Sequence, residues 1–145
     1  MLDEAVTWRS FVTCVDVSER RCRLATCRAE LPARRTAYCC DAHAREFVRN
    51  HVWSEARRMA RRRARWTCQR CGFKPSVVRK DPEARATYSR FELRLEVNHI
   101  LPLRGSYRGV TCSNHLSNLE VLCHRCHVDA TAEQRLKVAD GQPVA

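Results

Sequence analysis

Two Cys-x2-Cys pairs, Cys68 with Cys71 and Cys123 with Cys126, enclose a stretch that carries Asn98-His99 and Asn118, and His127 follows the last cysteine directly. Each pair can grip one ion from a tight turn whose backbone N–H groups stabilise thiolate charge, so the four sulfurs predict a tetrahedral zinc site. A site closed by four sulfurs keeps no open position, which makes that zinc structural. Reactive chemistry would fall to the residues between and just after the pairs. Hydrolysis of a phosphodiester needs a base for water, a cation on the phosphate and a scaffold holding both. His99 fits the base, because an imidazole with the ordinary pKa of about 6.5 is mostly neutral at about pH 7.5.

A second ligand set stands upstream, in the spacing Cys22-x4-Cys27-x11-Cys39-x3-His43. Three thiols and an imidazole suit one tetrahedral zinc. Spacing alone leaves Cys40 open as a substitute for its neighbour Cys39, and leaves His43 open as an exposed helix residue. Cys14 and Cys112 have no assigned partner and read as buried small hydrophobes. His51 reads as packing or capping, and His115 and His124 as polar surface residues. Glu96 lies two positions before Asn98, on the same strand face.

The order Asn98-His99, then Asn118 within Leu116-Ser-Asn-Leu-Glu-Val-Leu-Cys123, then Cys123-His-Arg-Cys-His127, resembles the HNH endonuclease family over about residues 54 to 137. The resemblance implies a ββα-metal core that hydrolyses nucleic-acid phosphodiesters, leaving 5′-phosphate and 3′-hydroxyl ends. It makes His99 the general base, gives Asn118 the task of hydrogen-bonding the backbone of the loop that carries His99, and lets residue 98 and His127 hold the catalytic divalent metal. Position 98 departs from the family, where Asp is common. Asn98 offers a carbonyl oxygen without the carboxylate charge that suits Mg²⁺, so Mg²⁺ held weakly, or Mn²⁺ or Ni²⁺ supported by the His127 imidazole, is expected. The upstream half resembles the zinc finger that precedes the nuclease core in some HNH proteins, through the stretch from Tyr38 to His43. Small members of the family often act beside phage packaging or restriction machinery.

Several elements must position these residues. Phe91-Glu-Leu-Arg-Leu-Glu-Val97 alternates strictly and predicts a strand leading into Asn98-His99. A second strand is expected from about Asn118 through Leu122, and a helix from about Arg125 to Lys137, closed by Asp140-Gly141 and Pro143. Upstream, Asp41 reads as the N-cap of a helix to about Asn50, with His43 on its first turn. Ser54 reads as the N-cap of a basic helix whose stripe is Ala56, Met59, Ala60 and Ala64. Residues 74 to 89 read as a polar loop, and residues 1 to 21 as a short strand or irregular cover. The expected fold class is a small zinc-stabilised α+β protein: an N-terminal zinc-binding module over residues 1–53, and an HNH core with its basic helix over 54–145.

Composition agrees with a polyanionic partner. The 145 residues carry a formal charge of +11, and two zinc ions with their thiolates would leave it at roughly +8. Such charge gives salt-dependent affinity for phosphates without base preference, so DNA is the expected partner, with RNA the alternative polymer. Arg57, Arg58, Arg61, Arg62, Arg63 and Arg65 on the basic helix, with no acid at i+4 to balance them, are the candidate backbone contacts. Arg104 and Arg108, with Tyr107, are candidates nearer the scissile phosphate. The start Met1-Leu2-Asp3-Glu4 shows no secretory pattern, and arginines interrupt every apolar run, so a soluble cytoplasmic protein with reduced, metal-binding cysteines is expected. A zinc-stabilised DNA-binding protein whose metal site has decayed is the competing function.

Overall fold

The structure, a computed structural model, describes residues 20–24, 26–27, 29–102 and 111–139. Outside them lie Cys14 and nearly all of the segment 1–21, Arg104, Tyr107, Arg108, and the expected Asp140-Gly141 and Pro143 stop. Helices α1 (Asp41–His51) and α2 (Trp53–Arg63) come first, then two one-turn helices, α3 (Pro75–Val78) and α4 (Pro82–Ala86). Strand β1 (Leu95–His99) follows, then 3₁₀ turns at Cys112–Asn114 and Leu116–Asn118, strand β2 (Leu119–Cys123) and helix α5 (His124–Ala139). The result is a small mixed α+β structure built on one two-stranded antiparallel sheet.

Register assigns the two faces of that sheet. Leu95 pairs with Cys123, Val97 with Val121 and His99 with Leu119, and these share one face; Glu96 with Leu122 and Asn98 with Glu120 share the other. Ala56 and Ala60 of α2 are fully buried in the core with Leu95, Leu119, Val121, Leu122 and Ala130. Two alanines let the helix backbone approach the sheet closely. Burial of Val121 and Leu122, both 0 % exposed, stabilises by about 1.5–3 kcal/mol each. Such a core is small enough that staples matter.

Local details depart from the sequence expectations for identifiable reasons. Cys40, not Asp41, is the extended N-cap of α1, and Asp41 sits in the first turn, where its carboxylate takes the Arg35 guanidinium. Ser54 is likewise inside α2, which starts at Trp53. The two helices are parted by Val52 alone, whose extended backbone (φ −84°, ψ 118°) is the C-cap of one and the N-cap of the next. Helix α2 stops before Arg65, which adopts a left-handed backbone (φ 50°) together with Trp66 (φ 55°). That conformation costs about 1–2 kcal/mol per residue.

The expected loop 74 to 89 contains α3 and α4, each with proline in its first turn; Asp81 caps α4 by accepting from the N–H groups of Glu83 and Ala84. The strand expected from Phe91 begins only at Leu95. Ser89 and Glu92 exchange hydrogen bonds, Ser89 N to Glu92 Oε2 at 2.8 Å and Glu92 N to Ser89 Oγ at 3.2 Å. This capping-box geometry bends the chain, overrides the alternation, and leaves Phe91 65 % exposed. Helix α5 begins at His124 and reaches Ala139, slightly longer at both ends than expected. Among the described residues, no helix is long and apolar enough to cross a membrane.

Candidate functional site

The four thiols of Cys68, Cys71, Cys123 and Cys126 converge, with their sulfurs all within 4.8 Å of one another. A turn makes the first pair possible: Gly72 N–H donates to the Cys68 carbonyl at 2.9 Å, and Gly72 takes the left-handed backbone (φ 75°) that a side chain would resist. Sγ of Cys71 lies 3.7 Å from Sγ of Cys123. A zinc tetrahedron with Zn–S bonds of about 2.3 Å has S–S edges of about 3.8 Å, so the group has the dimensions of a zinc site. Such an ion would tie the knuckle before β1 to the junction of β2 with α5.

Cys22, Cys27, Cys39 and His43 form a second group of the same kind. Cys27 and Cys39 are 3.7 Å apart at sulfur, and Nδ1 of His43 is 3.1 Å from Cys39 and 3.7 Å from Cys22. Cys40 is outside the group because it caps α1, and α1 in turn presents His43 from its first turn. Electrostatics agree in both clusters. Burial raises the Cys22 thiol, but hydrogen bonds from the backbones of Cys39 and Leu24 and from His43 outweigh it, bringing the pKa down to about 7. Cys68 is brought to about 7 in the same way, by the backbones of Cys71, Cys123 and Arg70. Burial and the neighbouring sulfurs push Cys39 up to about 12 and raise Cys126 as well. A dication relieves that crowding by offsetting the like charges. Both clusters can hold zinc.

At the end of β1, Trp53 stacks on the His99 ring with centroids 4.8 Å apart. Nε2 of His99 lies 3.0 Å from Oδ1 of Asn114, and Nδ2 of Asn114 donates to the His51 carbonyl at 2.8 Å. That second bond fixes the amide, so its oxygen faces His99 and Nε2 carries the proton. In neutral imidazole the lone pair is then left on Nδ1. Burial holds His99 below the ordinary imidazole pKa, with the Asn114 bond partly opposing it.

Asn118 clamps the chain that follows His99. Its Oδ1 accepts from Leu101 N–H at 2.8 Å, and its Nδ2 donates to the carbonyls of Leu101 and Ser113 at 3.3 and 2.9 Å. Gln134 of α5 adds a bond from Nε2 to the His99 carbonyl at 2.7 Å. On the opposite sheet face, the buried Asn98 donates its amide to Oε1 of Glu120 at 2.9 Å. Glu96 stands between the two histidines that begin α5, with Oε1 2.9 Å from Nδ1 of His124 and Oε2 3.3 Å from Nδ1 of His127. No hydrogen bond joins Asn98 to His127; the groups they meet are Glu120 and Glu96.

The arginines of α2 divide by task. Arg61 donates to the Leu95 carbonyl at 3.1 and 3.3 Å, and Arg63 donates to the Leu116 and Leu119 carbonyls, so these two hold the hairpin against the helix. Arg58 is balanced after all, by Glu55 three residues earlier. Arg57, Arg62 and Arg65 are exposed.

Sequence reasoning missed Asn114, and it misplaced two further residues, Cys112 and His115. His115 is half-buried, with Nε2 2.9 Å from Nε2 of His51, and Cys112 lies beside both. His51 does pack, stacked on Phe47, but it also faces this pair. Burial and the neighbouring His51 push the pKa of His115 down to about 4. His124 is exposed, as expected, and its ring meets Glu96. Compared with known proteins, the chain matches no family model, no curated protein and no solved structure.

Proposed function

We propose that this chain is a zinc-stabilised HNH-type endonuclease that hydrolyses DNA phosphodiesters. The observation that carries the reading is the state of His99, its ring stacked on Trp53 and its Nε2 bonded to Asn114 so that Nδ1 is left as a proton acceptor. Nδ1 takes the proton of the attacking water as its oxygen bonds to phosphorus, and the 3′ oxygen departs. Asn118 and Gln134 hold the backbone at and just after His99, and a base held this way keeps its aim. The oxygen of Asn98, the imidazole of His127 and the carboxylate of Glu96 would hold a divalent cation, whose charge when bound stabilises the phosphate and the departing oxygen. This mixed oxygen and nitrogen set suits Mn²⁺ or Ni²⁺ better than Mg²⁺, and the carboxylate missing at position 98 is supplied two residues earlier. Arg57, Arg62 and Arg65 would follow the phosphate backbone without reading bases.

One observation favours a second reading, a zinc-stabilised DNA-binding protein without cleavage: the amide of Asn98 is engaged by Glu120. Plasmid relaxation separates the two. Zinc-loaded protein is incubated with supercoiled DNA and Mg²⁺, Mn²⁺, Ni²⁺ or EDTA, beside His99→Ala. Nicking that needs the metal and falls about 10²–10⁴-fold in His99→Ala is expected. DNA binding with no cleavage under any metal would leave the second reading standing.

A further inference from the structure

His51, Cys112 and His115 are the third group in which ligand atoms lie within 4.8 Å of one another among the described residues. We propose that they form a third metal site, taking a Zn²⁺ ion through Nε2 of His51, Nε2 of His115 and Sγ of Cys112. His51 is prepared for the task. It is 2 % exposed, its ring is stacked on Phe47 at 3.8 Å, and its Nδ1 donates to the Phe47 carbonyl at 2.7 Å. A backbone carbonyl on the far nitrogen is the usual device for fixing the tautomer of a metal-ligating histidine, and it turns the Nε2 lone pair toward the site.

That lone pair meets His115 at 2.9 Å, the two rings being perpendicular at 88°. A proton on His115 Nε2 would account for the imidazole pair. It would not account for a thiol whose sulfur lies within 4.8 Å of a ring nitrogen of each. Two imidazoles and a thiolate are a borderline-soft donor set, suited to zinc and unsuited to Mg²⁺ or Ca²⁺. Three protein donors leave the fourth tetrahedral position to water.

The site shares no residue with either cysteine cluster or with Asn98 and His127. It would pin the end of α1 to the segment from Thr111 to His115, already joined there by Thr111 N–H on the His51 carbonyl at 3.1 Å. Asn114 is on the same segment, so an ion here would also steady the partner of His99; that consequence alone rests on the nuclease reading. The site itself is tested without DNA.

Full-length protein is equilibrated with zinc, stripped of loose ions with a weak chelator, and its zinc content measured beside Cys112→Ser and His115→Gln. His51 is left unchanged because its burial makes it a folding risk. Three zinc ions per chain in the parent and two in each variant are expected, the retained pair showing that the cysteine clusters are still folded. Two ions in the parent, or three in the variants, would overturn the proposal. If a variant loses more than one ion, Co²⁺ titration of the parent decides. A third equivalent with tetrahedral d–d bands supports the site, and saturation at two equivalents removes it.

Discussion

The two cysteine clusters differ in what stands behind them. Cys68 and Cys123 belong to a core with Ala56, Ala60, Leu95, Leu119, Val121, Leu122 and Ala130, whereas among the described residues Cys22 is grouped with Leu24 and Leu31 as its buried apolar company. A zinc ion on this small described cluster would contribute a large share of its folding free energy, as in zinc-finger peptides, where the metal contributes about 10–16 kcal/mol. Downstream, a zinc ion and hydrophobic burial would act together. The candidate hydrolytic residues all sit on the doubly supported half.

The sharpest way to break this comparison is to remove one ligand from each side. Cys123→Ser should unfold the hairpin with α5 and abolish DNA cleavage, while Cys39→Ser should release only the backbone from Arg20 to about Cys40. Hydrogen exchange on each variant reads this directly; retained protection of residues 20–40 in Cys39→Ser would mean that the upstream half holds without its ion. A smaller effect is expected from core truncation. Leu122→Ala should lower stability by about 2–5 kcal/mol in denaturant titration. Leu24→Ala, made in the zinc-loaded protein, should move the same global transition far less, and equal shifts would show one shared core.

The smallest effect concerns pH. The folded pKa of His99 lies below its ordinary value because of burial. A base must be unprotonated to act, so cleavage should rise with pH and level off, with the midpoint of the acid limb below about 6.5. A midpoint above that value, at saturating metal, would disconnect His99 from the rate.

Much of this was legible because it is local. Cysteine pairs with two residues between them, a histidine on a first turn and an alanine stripe need only short-range geometry, and the zinc-capable clusters follow from them. Cys39 could not be separated from Cys40 by spacing, since the choice depends on where α1 begins. The alternation from Phe91 to Val97 misled because the Ser89 and Glu92 exchange is stronger than a period of two over four residues. Proline at the start of α3 and of α4 is a readable signal, being well suited to a helix's first turn, but the polar composition of residues 74 to 89 reads as a loop. Asn114 and the His51, Cys112 and His115 group left no sequence signal. They meet only because two distant segments dock.

That docking depends on the single residue between α1 and α2. In one continuous helix the His51 carbonyl would be taken by Glu55 N–H; here Glu55 donates to Val52 instead, and His51 is left to receive Thr111 and Asn114. The interruption works as a socket for a remote loop. Its consequence reaches evolution and engineering alike: a substitution at Val52 chosen to improve helix propensity would lengthen the helix, close the socket and loosen His99 from a distance.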